Sequence, residues 1–346
     1  MMYRKAALLI SFALVLGFLS KTASAVDPNL VGRWTFDDGT ANDSSGNEHH
    51  GTLKQGDATT SISIVYDAVR DSNVLNCSNP AGHTTCSVVD CGTGSWANIS
   101  DAITIAAWTK PRTIEQTNYL LSKHSRYQFT AVPEGQARFY LWNHSDDRTT
   151  FSKSSLLDGK WHHVAFTYDF DTKSRRVYFD GDLEEEEFPD AQITRTTWTL
   201  VIGGRLHTNF DHKGWDGLID DVRLYDKAIS YEEVRELAEN YKAYDPVPSN
   251  GEQDVSPTLA SLGWKAGIKA AAKAGHKVYF GTSRALVEAN DASVSKGTVD
   301  SNVYSGAAMG SLSAAVDYYW KVDAVNGANK WPGDVWTFRT SKSESK

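Results

Sequence analysis

Cysteine is scarce in this sequence, and all three cysteines lie in one short stretch, residues 77–91. Three thiols allow one disulfide and leave one thiol over, so a scaffold built on many disulfides is excluded. We expect Cys77 and Cys86 to form the bridge, because they flank a turn-like segment at residues 80–83. Neither cysteine spacing matches a paired-cysteine zinc site, and no fourth ligand is evident, so zinc is not indicated.

Basic residues and long apolar runs are also in short supply. Lys and Arg number 35 against 43 Asp and Glu, a net charge of -8, which argues against nonspecific binding to nucleic acid.

The one long apolar run, residues 6–19, follows Arg4 and Lys5 and precedes the small residues 23–25, as in a secretory signal peptide. No later run approaches the roughly 20 residues of a membrane span. We therefore expect residues 1–25 to be removed and the protein to be secreted, extracellular or periplasmic, without a transmembrane anchor.

Long helical patterns are few, whereas 11 Trp, 15 Tyr and 13 Phe accompany short alternating segments. Val164, Phe166 and Tyr168 alternate with their neighbours, as in strands that present one face to a sandwich core. This predicts an all-β protein, and about 320 mature residues suit two domains. Four tryptophans are expected in the core of the first sandwich: Trp34, Trp108, Trp161 and Trp198. We expect a first domain, a linker, a second domain and a tail at residues 26–244, 245–251, 252–340 and 341–346.

The segment GLIDDVRLYDKAIS at residues 217–230 resembles the closing strand of laminin-G-like domains in the concanavalin A-like jelly-roll superfamily. Other segments, such as DGKWHHVAFTYD at residues 158–169, match the middle strands of that family in order. The resemblance covers roughly residues 30–242 and implies a jelly roll with a structural calcium ion near the acidic pair. After the closing strand, Ser230 and Glu233 have the spacing of a capping box that starts a helix.

Acidic residues at the two ends of the first domain predict where the calcium ion lies. The jelly-roll topology brings the closing strand beside the first strand, so oxygen ligands from both can meet. The candidate ligands are Asp37, Asp43, Asn47, Asp220 and Asp221. The alternative is that Arg33 or Arg223 pairs with these acids.

The region after the Pro-rich linker has its own strand pattern. Leu312, Tyr318, Trp320 and Val322 have the spacing of a tyrosine corner that leads into a central strand. Residues 246–340 resemble a fibronectin type III-like domain of the sort found in large secreted bacterial proteins. We therefore expect a second, smaller β sandwich of the immunoglobulin-like type.

One strand carries side chains suited to sugars. Arg138, Tyr140, Trp142 and His144 alternate onto one face of it. Aromatic rings stack on sugars, and Arg and His hydrogen-bond hydroxyls or acids. Further candidates from neighbouring strands are Arg126, Gln128 and His163. The laminin-G-like resemblance implies a domain that recognises carbohydrate or another extracellular partner. With this face as the binding surface, we expect a carbohydrate-binding or adhesion protein whose partner is a polysaccharide or glycoconjugate.

Three alternatives stay open at the sequence level. The first is a half-exposed sheet surface with no ligand, and the second is a structural or adhesive protein. The third is a polysaccharide lyase, in which Arg138 neutralises a uronate while Tyr140 or His144 moves the proton. Glucanase-type hydrolysis is not indicated, because no strand carries acids at alternate positions beside aromatic residues.

Overall fold

The computed structural model describes residues 27–141, 149–189, 196–206, 213–305, 309 and 311–342. The predicted signal peptide, Trp142 and His144 lie outside these described residues. No helix in the described part of the chain is long and apolar enough to cross a membrane.

The first two thirds of the chain form a two-sheet sandwich of short antiparallel strands, as predicted. Its strands are β1 (Leu30–Trp34), β2 (Thr52–Lys54), β3 (Ser61–Asp67), β4 (Ser72–Ser78), β5 (Val88–Asp90), β6 (Ala102–Pro111), β7 (Asn118–Lys123), β8 (Tyr127–Ala131), β9 (Gln136–Leu141), β10 (Thr149–Ser155), β11 (His162–Asp169), β12 (Ser174–Phe179), β13 (Asp182–Glu187), β14 (Leu200–Ile202) and β15 (Gly217–Tyr225). A single 3-10 turn is described before β6, at Ser95–Ala97.

Two sheets face each other in this sandwich. Among the described residues, one sheet has eight strands in the order β13-β12-β11-β6-β15-β4-β3, with β1 paired to β15. The other has seven strands in the order β10-β9-β8-β7-β14-β5-β2. The alternating apolar residues of both sheets meet in the middle: the Phe166 ring centroid lies 4.9 Å from that of Phe129 and 5.2 Å from that of Phe139. This interdigitation forms the core of the jelly roll.

Helix α1 (Tyr231–Leu237) covers part of the outer side of the eight-stranded sheet. Ser230 Oγ accepts a hydrogen bond from the Glu233 N–H at 3.2 Å, and the Glu233 carboxylate accepts one from the Ser230 N–H at 2.6 Å. The predicted capping box is confirmed. Val234 packs from the helix against Ala106 and Ala165 of the sheet.

The last third of the chain forms a second β sandwich. Its elements are β16 (Tyr244–Val247), β17 (Glu252–Val255), β18 (Ser261–Lys265), β19 (His276–Gly281), α2 (Arg284–Glu288), a 3-10 turn (Ala292–Val294), β20 (Ser295–Val299), β21 (Val303–Ser305), β22 (Asp317–Asn326), β23 (Asn329–Trp331) and β24 (Trp336–Thr340). One sheet has the order β16-β18-β21 and the other β17-β24-β22-β19-β20, with β23 on β22. The all-β class is confirmed, and β16 begins at Tyr244 and runs into the predicted linker.

The core of the second sandwich is aromatic. The ring centroid of Trp320 lies 6.2 Å from that of Trp264 and 4.6 Å from that of Trp336. The Tyr318 hydroxyl accepts a hydrogen bond from the Ser313 N–H at 2.8 Å, which is the backbone contact that a tyrosine corner makes. The fibronectin type III-like assignment stays a prediction.

Candidate functional site

The candidate site lies on the side of the seven-stranded sheet that points away from the core. In β8 and β9, residues 127, 129, 131, 137, 139 and 141 belong to the core cluster. Because strand side chains alternate, the residues between them face outward. Gln128 pairs with Tyr140 across the two strands, and Thr130 pairs with Arg138. The outer sheet face is defined here by Tyr119, Gln128, Thr130, Arg138, Tyr140 and Arg205.

Arg138 is held in place by the strand beside it. Its Nε donates a hydrogen bond to Thr130 Oγ1 at 2.9 Å, which uses one of its N–H groups. Burial lowers the pKa of Arg138, with Tyr119 and Tyr140 acting in the opposite direction. An arginine keeps its charge through such a shift, so Arg138 remains a half-buried cation on this face.

Tyr119 and Arg205 extend this face on the other side of β8. Tyr119 pairs with Thr130, and its ring is buried. The guanidinium carbon of Arg205 lies 4.7 Å from the centre of the Tyr119 ring. Sequence reasoning missed both residues. Tyr119 lies on a strand that the sequence indicated, whereas Arg205 follows a two-glycine turn and gave no signal.

The floor of the face is polar. Gln128 is 4% exposed and Thr130 is fully buried. Ser122 shares the cross-strand row of Gln128 and Tyr140. Among the described residues its buried Oγ has no hydrogen-bond partner. A buried hydroxyl in this state is a group that a water or a ligand can satisfy.

Two of the predicted ligand residues lie elsewhere. Arg126 is fully buried, and its Nε donates to the Ile99 carbonyl at 3.1 Å, so it anchors the chain before β6. His163 lies on β11 of the eight-stranded sheet, where its ring meets the edge of Trp108. Burial lowers the pKa of His163 to about 3. The structure thus brings Gln128, Arg138 and Tyr140 together on the outer sheet face but not Arg126 or His163.

The predicted calcium ligands in the loop after β1, Asp43 and Asn47, form hydrogen bonds with the backbone. Asp43 accepts hydrogen bonds from the backbone N–H groups of Arg33, Ser45 and His49 at 2.8–2.9 Å. This set holds the loop after β1 in place. Asn47 donates to the Leu30 carbonyl at 2.7 Å.

The acidic pair on β15 is engaged by arginines. Asp221 lies 2.8 Å from Arg33 Nε and 2.7 Å from Arg223 Nη2, and Asp220 lies 2.9 Å from Arg70 Nε. Asp37 is exposed in the turn after β1 and not on the strand itself. In the described part of the chain, no group of three or more His, Cys, Asp or Glu side chains is arranged to hold a metal ion. The calcium site stays a prediction, and the arginine contacts match its stated alternative.

The expected disulfide is not found, since Cys77, Cys86 and Cys91 are all free and buried. Cys77 ends β4 in the eight-stranded sheet, whereas Cys86 precedes β5 in the seven-stranded sheet, so the two do not flank a hairpin. A Cβ at Gly203 would lie 2.7 Å from Cys77 Sγ, and one at Gly204 would lie 2.8 Å from Cys86 Sγ. Burial raises the pKa of both thiols, which keeps them protonated and unreactive.

Solved structures similar to this chain include sugar-binding and toxin domains. Domain 4 of the arabinanase AbnA from Geobacillus stearothermophilus, in complex with arabinotriose, is 19% identical, with TM-score 0.48, over 61% of this chain and 98% of that one. The binding domain of Paraclostridial Mosquitocidal Protein 1 is 16% identical, with TM-score 0.47, over 89% of this chain and 75% of that one. The CBM40 of a Ruminococcus gnavus sialidase, bound to α2,3-sialyllactose, is 14% identical, with TM-score 0.38, over 54% of this chain and 98% of that one.

Comparison with curated protein sequences finds no match. The family comparison bears on the jelly roll and leaves the second sandwich unassigned. Residues 84–235 match the Laminin_G_3 model, described as the concanavalin A-like lectin/glucanases superfamily, which supports a jelly-roll domain of that kind in this part of the chain.

Proposed function

We propose that the outer sheet face binds glycans outside the cell. The observation that carries the proposal is that Arg138 and Tyr140 of β9 share this face, above a polar floor, with Arg205, which follows β14 and lies against Tyr119 of β7. With the signal peptide that the sequence predicts, the partner is a polysaccharide or glycoconjugate in the extracellular space or periplasm. The superfamily description of residues 84–235 names lectins, and that supports a sugar ligand.

The chemistry of the face suits a sugar ring. Tyr140 is half-buried on this face, and a tyrosine ring can stack on the apolar face of a pyranose. Gln128 supplies both a donor and an acceptor beside it. The remaining N–H groups of Arg138 are hydrogen-bond donors, so this face favours ligands that accept hydrogen bonds. One stacking contact and several polar contacts are enough to orient a sugar unit.

The two guanidinium groups favour acidic glycans. Arginine matches the geometry of a carboxylate or sulfate through paired N–H groups, and such charged hydrogen bonds are the stronger ones. The chain as a whole carries a net charge of -8, which repels an anionic polymer. A local cationic site on an acidic protein therefore directs an anionic glycan to this face.

A glycan array with the full chain tests the proposal. Arg138→Gln removes one cation from the face, and Arg339→Gln is the control, since Arg339 lies exposed in the second sandwich with Asp317. We expect wild type and Arg339→Gln to bind acidic glycans and Arg138→Gln to bind them weakly. Equal binding by all three proteins contradicts the proposal.

Ultraviolet absorbance of the same samples tests the lyase alternative. Arg138 and Tyr140 are two residues apart on one face of β9, whereas His144 lies outside the described residues. A lyase releases unsaturated uronates, which absorb in the ultraviolet. Binding without new absorbance supports a binding protein, and rising absorbance supports the lyase.

A further inference from the structure

A cleft separate from the outer sheet face lies on the opposite side of the first sandwich, where the first sandwich meets the second sandwich. Its volume is about 350 Å³, which is within the range of small-molecule sites. The residues that matter for its chemistry are Trp108, Trp161, Asp180, Asp182, Tyr241 and Trp331. It is therefore rich in aromatic rings and carboxylates, and it shares no residue with the outer sheet face.

The first sandwich fixes two of the rings by their N–H groups. Trp108 Nε1 donates to the Leu237 carbonyl at 3.3 Å, and Trp161 Nε1 donates to Asp67 Oδ1 at 3.2 Å. The guanidinium carbon of Arg70 lies 4.2 Å from the centre of the Trp108 ring. Because these contacts hold the rings, their surface in the cleft is preformed.

The facing wall comes from the chain after α1 and from the second sandwich. Trp331 on β23 is half-buried, and its ring centroid lies 5.6 Å from that of Tyr241 at an interplanar angle of 71°. Lys242 Nζ lies 2.9 Å from Asp334 Oδ1 and ties the same two segments together. Rings from both sandwiches thus bound the cleft.

The polar groups of the cleft are mainly acceptors. Asp180 accepts a hydrogen bond from the backbone N–H of His163 at 2.9 Å and lies 2.9 Å from His162 Nδ1, and Asp182 accepts one from Arg235 Nη1 at 2.6 Å. These donors fix the orientation of both carboxylates, and a carboxylate has about four acceptor positions. Three carboxylates and one lysine line the cleft, and two of the carboxylates, Asp180 and Asp182, pair with His162 and Arg235 just outside the lining. The cleft therefore suits a ligand that donates hydroxyl protons and carries no negative charge.

We propose that this cleft binds a neutral sugar unit. The sugar stacks against Trp331 and Tyr241, and its hydroxyls donate to Asp180 and Asp182. The two sites then differ in charge, with cations on the outer sheet face and carboxylates in the cleft. A quaternary ammonium group is the competing ligand for aromatic rings beside acids. The cleft volume and the presence of Lys242 favour the larger, uncharged ligand.

The test uses the full chain and an array of neutral oligosaccharides, with choline as a competitor. Trp331→Ala removes one wall, and Lys330→Ala is the matched control from the same strand, because Lys330 is exposed. We expect wild type and Lys330→Ala to bind neutral glycans and Trp331→Ala to bind them about tenfold more weakly. Arg138→Gln should leave this binding unchanged, which separates this site from the proposed acidic-glycan face.

Three results overturn the inference: no neutral glycan bound by wild type, equal binding of the glycan by wild type and Trp331→Ala, or binding of choline that is tighter than that of every neutral glycan and is lost in Trp331→Ala. Thermal melts of all variants check folding. If Trp331→Ala lowers the midpoint markedly, Trp331→Phe keeps a ring in place and should recover most of the binding. Failure of Trp331→Phe to recover binding when it melts like wild type also counts against the stacking role.

Discussion

Arg205 donates a hydrogen bond from Nη1 to Tyr119 Oη at 3.0 Å, and its guanidinium lies over the same ring. The arginine comes from the segment after β14 and the tyrosine from β7. This contact holds a cation from a connecting segment against a rigid strand. The orientation of Arg205 on the outer sheet face thus depends in part on one hydroxyl group.

Removing that hydroxyl should weaken glycan binding without unfolding the domain. We expect Tyr119→Phe to reduce affinity for an acidic glycan about fivefold, as the loss of about 1 kcal/mol implies. Tyr66→Phe is the control, since the Tyr66 hydroxyl donates to Asp71 at 2.6 Å on an exposed strand. Titration calorimetry measures both variants, and equal affinity for Tyr119→Phe and Tyr66→Phe contradicts the positioning role.

The outer sheet face was partly predictable from alternation alone. Arg138 and Tyr140 share a face because side chains alternate along any regular strand, and Gln128 joins them because β8 is the hairpin neighbour of β9. His163 is predicted to join this face from a neighbouring strand, but it lies on β11 of the other sheet. The chain crosses to the other sheet before β11, and alternation carries no information about that crossing.

The closing strand shows a second limit of pattern reading. Regular alternation predicts Leu218, Val222 and Leu224 on one side, whereas the core contains Ile219, Val222 and Leu224. The register of β15 against β6 shifts between Asp220 and Arg223, and Asp221 has a φ of +44°. A bulge adds one residue and reverses the faces after it. Its position depends on contacts such as Arg33 with Asp221, which the local pattern does not contain.

The cleft could not be inferred from the sequence at all. Trp34 lies in the core as predicted, but Trp108 and Trp161 line the cleft on the outer side of the eight-stranded sheet. Their surroundings come from α1 and from Trp331, far along the chain. A sequence pattern identifies a large apolar residue, but the docking of a second domain decides what covers it.

The Asp221 ion pairs should contribute much of the local stability. Burial alone would raise the pKa of Asp221, but hydrogen bonds and charge from Arg223 and Arg33 lower it to about 2. We expect Asp221→Asn to reduce the free energy of unfolding at pH 7 by about 3 kcal/mol, because it leaves two partly buried cations without their carboxylate. Asp317→Asn, in an exposed pair with Arg339, should cost less than about 1 kcal/mol.

The same pair predicts a dependence on acid. A carboxylate with a lowered pKa stabilises the fold above its unfolded pKa, near 3.8, and loses that contribution as pH falls through about 2. Urea unfolding should therefore show the gap between wild type and Asp221→Asn shrinking from pH 4 to pH 2. A constant gap contradicts the ion-pair account.

A melt in excess chelator separates the calcium prediction from its alternative. A calcium ion that binds only the native state raises the midpoint by linkage, so chelator should lower the midpoint if the ion is present. Arginine pairs give a midpoint that does not respond to chelator. The same melt on Asp43→Asn shows whether the loop after β1 takes part.

His162 should make stability depend on pH in the opposite direction. Burial lowers the pKa of His162, but its hydrogen bonds and charge pairing with Asp180 and Asp158, at 2.9 and 2.8 Å, outweigh burial and raise it above 6.5. A raised pKa stabilises the fold below pH 6.5, and the contribution is lost as pH rises through the folded value. We expect wild type to lose more stability from pH 6 to pH 8 than His162→Gln does.

The second sandwich should fold without the first. Ala243 belongs to its core and β16 pairs with β18, so the independent unit begins near residue 243 and not after the predicted linker. We expect residues 243–346 to melt cooperatively and residues 252–346, which lack β16, to melt at a lower temperature. Absence of a cooperative transition in residues 243–346 contradicts this prediction.

The most direct test of the account is the affinity of the outer sheet face for an acidic glycan. The measurement is titration calorimetry of the strongest acidic array ligand into wild type and into a double variant with Arg138→Gln and Arg205→Gln, at low and high salt. We predict at least about tenfold weaker binding by the double variant and a smaller salt dependence, because two charged contacts are lost. Equal affinity and equal salt dependence in the two proteins would contradict the claim that this face binds the glycan.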